Sequence, residues 1–218
     1  MGLAIGLAFC FLVIGHIRHE YSFDRFHKKR SQIYYIRDDY ITKGFWTNTA
    51  KVMAPLGPAI LNEIPEVRDI AQLREKRLSE IIFKSDTLAV DHLYFATPGF
   101  LRLFDFPLMY GLENLVLETP YSVVVSKKTA DLLFPGQYPV GKTIDVNDQF
   151  TGTITGVMYD FPSNTQLQCD VLVSHSTLVS IGGDVTSWDK FQDITFILLT
   201  ENAHSEALPI VWTVWGTF

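Results

Sequence analysis

An apolar run at the start of the chain constrains what the rest of it can become. Residues Met1 to Ile17 read MGLAIGLAFCFLVIGHI, with Cys10 and His16 as the only polar side chains. A membrane-spanning helix needs about 20 apolar residues, with a lower limit near 17, which this run just reaches. Leu3, Ile5, Leu7, Phe9, Phe11, Leu12, Val13, Ile14 and Ile17 each favour insertion by roughly 0.3–0.6 kcal/mol at a helix centre. A signal peptide would need a charged region before the run and small residues at a cleavage site. No charge precedes this run, and Ile17, Arg18 and His19 stand where small residues should be. The sequence therefore predicts a transmembrane helix over 1–18, partial at its start, with residues 19–218 tethered to membrane lipid. Gly2 and Gly6, and Ala4 and Ala8, are spaced for close helix contact, although such residues are frequent in membrane helices generally.

The remaining residues suffice for one large or two small domains among the 218 in the chain. Hydrophobic residues make up 47% and charged residues 19%, enough apolar side chain to bury a core. A net charge of −6 argues against nucleic acid as a partner. The two cysteines, Cys10 and Cys169, give no disulfide framework. Arg18, Arg25, Lys28, Lys29 and Arg30 crowd the exit of the apolar run, and taken alone they predict a cytoplasmic C-terminal side.

The body mixes strands and helices without strict alternation, which predicts an α+β fold. Strands are expected over 32–41, 67–76, 121–125, 143–146, 150–160, 169–174 and 194–200, from their β-branched and aromatic content. Residues 81–90 with the region around Leu93 read as a hairpin. Helices are expected over 54–64, stopped by Pro65, over 98–104 and over 127–134. Phe106-Pro107 and Tyr110-Gly111 read as turns.

Several segments together carry a family resemblance. They are Tyr21-Ser22-Phe23-Asp24-Arg25-Phe26-His27 with Gln32-Ile33-Tyr34, Pro55-Leu56-Gly57-Pro58-Ala59 with Ile64-Pro65-Glu66-Val67, and Phe95-Ala96-Thr97-Pro98-Gly99-Phe100 with Leu103 to Leu108 and Gly111. Ser122 to Ser126 with Thr129-Ala130 and Leu133-Phe134, Pro139 to Ile144, and Gly156-Val157 with Asp160-Phe161-Pro162 complete the set. In this order and spacing the chain, over about residues 2–200, resembles the first transmembrane helix and extracytoplasmic domain of an ABC transporter permease of the MacB-like, FtsX-related type. The resemblance implies a non-catalytic permease component in the inner membrane, its main domain in the periplasm. It implies a homodimer paired with a cytoplasmic ABC ATPase, and it leaves room for a periplasmic or outer-membrane partner. It also implies two subdomains, one from halves at about 31–77 and 186–218 and an inserted one at about 78–185. The family's later membrane helices are absent and the tail Leu208 to Phe218 departs from its pattern, so the chain is expected to be a truncated form.

The residues themselves offer few chemical motifs, and no catalytic, cofactor-binding or metal residue is assigned. Gly136-Gln137-Tyr138-Pro139-Val140-Gly141-Lys142-Thr143 fits the phosphate-loop pattern. That loop works only after a strand and before a helix, whose amides then face the phosphates. Here the order reads helix, loop, strand, and Pro139 removes an amide donor. His16 and His19 beside Glu20 are three apart, not the four of a zinc-protease helix. Asp184, Asp189 and Asp193 near Gly182-Gly183 lack the spacing of a calcium loop. His27, His92, His175 and His204 are scattered, and no serine sits in a nucleophile elbow. A second class stays open on these residues alone: a membrane-anchored extracytoplasmic hydrolase, or a ligand-binding or sensor module. A His–Ser or His–Asp pair clustered in a deep pocket would favour the hydrolase.

Overall fold

The computed structural model describes residues 6–14, 29–42, 45–76, 79–83, 86–161, 165, 167–201, 203 and 211–213. A helix, α1, runs over 6–14, and its apolar side chains, Phe9, Phe11 and Leu12 among them, are exposed. Among the described residues no helix is long and apolar enough to cross a membrane. The rest of the expected 1–18 span lies outside the described residues, as do His16, His19, Glu20, His27 and His204.

The body is a mixed α+β fold built on one long sheet. Its strands are β1 (Ile33–Ile36), β4 (Lys51–Met53), β5 (Val67–Lys76), β6 (Ser79–Phe83), β7 (Asp86–Val90), β8 (Leu93–Ala96), β9 (Leu108–Tyr110), β10 (Ser122–Ser126), β11 (Thr143–Val146), β12 (Phe150–Met158), β13 (Val171–Ser174), β14 (Phe191–Leu199) and β15 (Val211–Thr213). Their order across the sheet is β15-β1-β14-β5-β8-β13-β10-β12-β11-β6-β7, with β4 also on β14 and β9 also on β12. A separate ribbon pairs β2 (Asp38–Thr42) with β3 (Phe45–Thr49). The pairs β8–β13 and β10–β12 are parallel.

Strand β5 organises this arrangement. Residues Val67 to Leu73 pair antiparallel with β14, and Leu73 to Lys76 pair antiparallel with β8. Helices α2 (Leu56–Glu63) and α3 (Gly99–Phe104) both pack on it. At the start of α3 a Cβ on Gly99 would lie 1.8 Å from the Ile70 carbonyl oxygen, so only glycine lets the helix sit this close. The far end of α3 closes at Asp105, in the left-handed region at φ 51°. There Lys29 Nζ donates to the Arg102 carbonyl at 2.7 Å and to Asp105 Oδ1 at 2.8 Å, a cation placed on the last free carbonyls of a helix. Arg102 in turn grips Asp69 of β5 through Nε and Nη2, at 3.0 and 3.1 Å. The chain is thus pinned to β5 through α3 as it enters the domain.

Helix α4 (Lys127–Leu133) starts at Ser126, whose Oγ accepts the Thr129 N–H at 3.2 Å. The β11–β12 hairpin, in which Val146 pairs with Phe150, turns through Asn147 and Asp148, both left-handed at φ 52° and 51°, a conformation these residue types tolerate. A short helix, α5 (Thr177–Ser180), follows β13. Among the described residues apolar burial divides into three clusters. One centres on Phe100, Leu101, Leu103 and Phe104 of α3 with Leu73 and Leu198. A second centres on Phe134, Ile144, Ile154 and Val173. The third packs Ile60 of α2 on Ile36, Val52 and Ile197.

Several elements differ from the sequence expectation. The strand expected over 32–41 breaks at Arg37: β1 pairs in the main sheet, whereas β2 leaves to pair with β3. The hairpin is β6 with β7 alone, and Leu93 starts β8, which pairs with β5 and β13 instead. Tyr110 ends strand β9 rather than forming a turn. Strands β3 and β4 and helix α5 were not expected: β3 carries Thr47, Asn48 and Thr49, and β4 and α5 are too short to show a period.

Candidate functional site

The polar residues of β5 point to the part of the molecule with most chemistry. Alternation along a strand puts Gln72, Arg74 and Lys76 on one face. On β14, Thr195 stands opposite Gln72 and Ile194 opposite Leu73, which brings Asp193 beside Arg74. The Asp193 side chain is fully buried, at 0% exposure, and Arg74 is 13% exposed. Arg74 Nε donates to Asp193 Oδ1 at 2.5 Å, and Arg74 Nη1 donates to the Asp184 carbonyl at 3.1 Å. His175, just past β13, holds Asp193 Oδ2 through Nε2 at 3.0 Å. Next along the strand, Gln72 Nε2 donates to the Ala54 carbonyl at 2.8 Å and to Thr195 Oγ1 at 3.3 Å. The Gln72 N–H donates to Thr97 Oγ1 at 2.9 Å.

These contacts set the charge state of Asp193. Burial pushes its carboxyl up, but the hydrogen bonds from His175 and Arg74, with the electrostatic pull of both, outweigh it and hold the group below the usual carboxylate range. The ion pair is closed on the protein side, as a buried charge must be. Two openings flank it. A cleft of about 430 Å³ exposes Arg74 and Lys76 beside Lys51, Phe95 and Leu178. A smaller hollow of about 310 Å³ reaches Gln72, Thr97, Ser174, His175 and Ser176.

A His–Asp pair beside serines is the feature that would favour a hydrolase. Its geometry does not complete a nucleophile. Ser174 Oγ donates to the Leu117 carbonyl at 2.7 Å and bonds Ser176 Oγ at 2.8 Å. Among the described residues no hydroxyl is hydrogen-bonded to the His175 ring, the contact that activates a serine. Asp193 also serves Arg74, so the pair belongs to a structural ion network.

The other sequence candidates fall in separate places. The Asp184 carboxylate accepts Lys190 Nζ at 2.8 Å and the N–H groups of Thr186 and Ser187, each at 3.0 Å. Those bonds, Lys190 first, pull its pKa far down. Asp184 and Asp193 are therefore committed to different partners, and among the described residues no three His, Cys, Asp or Glu side chains form a metal-binding group. His92 lies away from His175, its N–H donating to Asp170 Oδ2 at 3.3 Å. Cys169 is buried, which pushes its thiol up, and Cys10 is exposed on α1.

The phosphate-loop match folds as helix α4, loop and strand β11. The Gly141 N–H is spent on the Ile154 carbonyl at 2.7 Å, and Lys142 Nζ donates to Gln137 Oε1 at 2.5 Å, 4.8 Å from the Phe134 ring centroid. Lys142→Ala should therefore cost about 0.5–1 kcal/mol of stability through the lost cation–π contact. Calorimetric titration with ATP should give no saturable heat for either protein. Micromolar binding that depends on Lys142 would contradict this geometry.

Sequence reasoning missed the Arg74–Asp193 pair. The available signal was polar residues two apart with an apolar residue between them: Gln72 and Arg74 around Leu73, Asp193 and Thr195 around Ile194. Buried polar residues at matching spacing need partners, and each strand supplies those of the other.

The model of the MacB-like periplasmic core domain matches residues 1–208. The chain belongs to this family. No curated protein matches it. Among solved structures, a domain of a protein assigned as a permease from Porphyromonas gingivalis is 21% identical with a TM-score of 0.71, over 84% of this chain and 79% of that one. The periplasmic region of MacB from Actinobacillus actinomycetemcomitans is 13% identical with a TM-score of 0.60, over 81% and 78%. The extracellular domain of the noncanonic ABC-type transporter YknZ from Gram-positive bacteria is 16% identical with a TM-score of 0.57, over 80% and 85%. At these identities the likeness establishes the fold of the MacB-like domain.

Proposed function

We propose that this MacB-like domain is the extracytoplasmic, non-catalytic part of an ABC transporter permease. A helix over 1–18 holds it in the inner membrane, and a cytoplasmic ATPase partner drives its movement within a permease dimer. The observation that carries this reading is the family match over residues 1–208, which takes in the apolar run as well as the folded body. The lobes would be the β1, β4, β5, β14 and α2 region and the region from β6 to β13. Strand β5 would join them. The pinning of Lys29 to α3 supports the reading in a second way. One member of the basic cluster has a structural use, so that cluster is a weaker sign of a cytoplasmic side.

The test is sidedness. Leu132 is 59% exposed on α4, so a cysteine there reports access without disturbing the core. In a Cys10→Ser, Cys169→Ser background, Leu132→Cys should react with a membrane-impermeant maleimide in cells whose outer membrane is opened and inner membrane intact. Reaction only after inner-membrane lysis would overturn the reading.

A further inference from the structure

The cleft beside Arg74 has the makings of a ligand site that the transporter reading does not use. An arginine carries five N–H donors. Arg74 commits Nε to Asp193 and one Nη1 proton to the Asp184 carbonyl, which fixes the plane of the guanidinium. Among the described residues the other Nη1 proton and both on Nη2 have no hydrogen-bond partner, on a residue that lines the cleft. Nη1 and Nη2 share one edge of the guanidinium, and an edge of that kind suits a carboxylate bound through both oxygens. Lys76, on the same face of β5, and Lys51 of β4 also line it. Glu75 is the acidic side chain of the lining and lies 3.8 Å from Lys51. Cations therefore exceed carboxylates here, in a chain whose net charge is −6. Phe95, Leu178, Ile181 and Phe191 supply an apolar wall. The volume of about 430 Å³ falls within the usual range for small-molecule sites, about 300–1,000 Å³.

We propose that this cleft binds a small organic acid with an apolar body, its carboxylate on the free edge of Arg74 and its body against Phe95 and Leu178. Asp193 and Asp184 act as positioning groups, holding the guanidinium in the orientation the ligand meets. Lys76 and Lys51 add attraction.

The test uses the full chain and 2-naphthoate as probe, with 2-naphthylmethanol as its uncharged counterpart, by titration calorimetry. The acid should bind saturably at one site and the alcohol should not. Lys76→Gln lies outside the Asp193 network and should weaken the acid about three- to fivefold. Arg74→Lys keeps the charge on Asp193 but loses the fork, and should weaken it about tenfold or more. Melting curves will show whether that variant stays folded; if it does not, Lys76→Gln and the alcohol decide. Equal binding of acid and alcohol, no saturation with the acid, or an unchanged affinity in Lys76→Gln would each overturn the proposal.

Discussion

Asp193→Asn should lower the free energy of unfolding by about 3–5 kcal/mol, the cost of leaving one half of a buried ion pair without its partner. The asparagine fits the space, but it leaves the Arg74 guanidinium, 13% exposed, without a counter-charge, and takes the anionic acceptor from His175. Urea unfolding at neutral pH measures the loss. Replacing Arg74 and Asp193 together by apolar residues of similar volume should cost much less, because no lone charge is then buried. The pH dependence follows in sign. The Asp193 carboxyl lies below its usual value in the folded chain, so the pair contributes fully above the ordinary aspartate pKa of about 3.9. That contribution is lost as the pH falls from there through the lowered folded-state value, and the gap between wild type and Asp193→Asn should close over the same window. A loss under about 1 kcal/mol at neutral pH would mean that the network relaxes in a way this geometry does not allow.

Gly99→Ala should destabilise the fold by about 3 kcal/mol, the upper part of the range for overpacking. The added Cβ would meet the Ile70 carbonyl oxygen at 1.8 Å and its carbon at 3.0 Å, both main-chain atoms of β5 that cannot rotate aside. Helix α3 must then back away from the strand, which loosens Phe100, Leu101 and Leu103 from the cluster they fill. It also strains the Arg102–Asp69 bridge at the other end of the helix. Thermal unfolding monitored by circular dichroism checks this. A melting temperature within a degree of wild type would show that α3 has room the structure does not give it.

Much of the fold was legible because its elements are locally consistent. Strand β5 matches its expected bounds at Val67 and Lys76, and α4 begins at Lys127 after a serine suited to capping. The Asn147-Asp148 turn sits where its residue types put it. What stayed hidden depends on partners distant in sequence. Nothing local says that Ile36 and Asp38 belong to different sheets, because the break at Arg37 reflects which strands are available on either side. Proximity in sequence suggests that β8 joins the hairpin, yet its partners are Leu73 to Lys76 and Val171 to Ser174. The candidate site was less legible still. Arg74 and Asp193 are unremarkable surface residue types until two strands, remote from each other in the chain, bring them together.

The pairing of β1 with β14 and of β14 with β5 has a consequence for how the protein is made. Ile33 to Tyr35 meet β14 at Phe196 to Leu198, and Tyr34 to Ile36 meet β15 later still, while Val67 waits for Leu199. A ribosome adds about 5–20 residues per second, so the first strand waits on the order of ten to thirty seconds for its neighbour. Late in that interval, once Ser174 is made, the region from β6 to β13 has all its mutual partners and is free to fold, while β1, β4 and the early part of β5 still present unpaired edges. Unpaired apolar strands are where misassembly begins. A nascent chain stalled before Phe191 should therefore be the form most dependent on chaperones, and the arrival of β14 the step that ends the dependence.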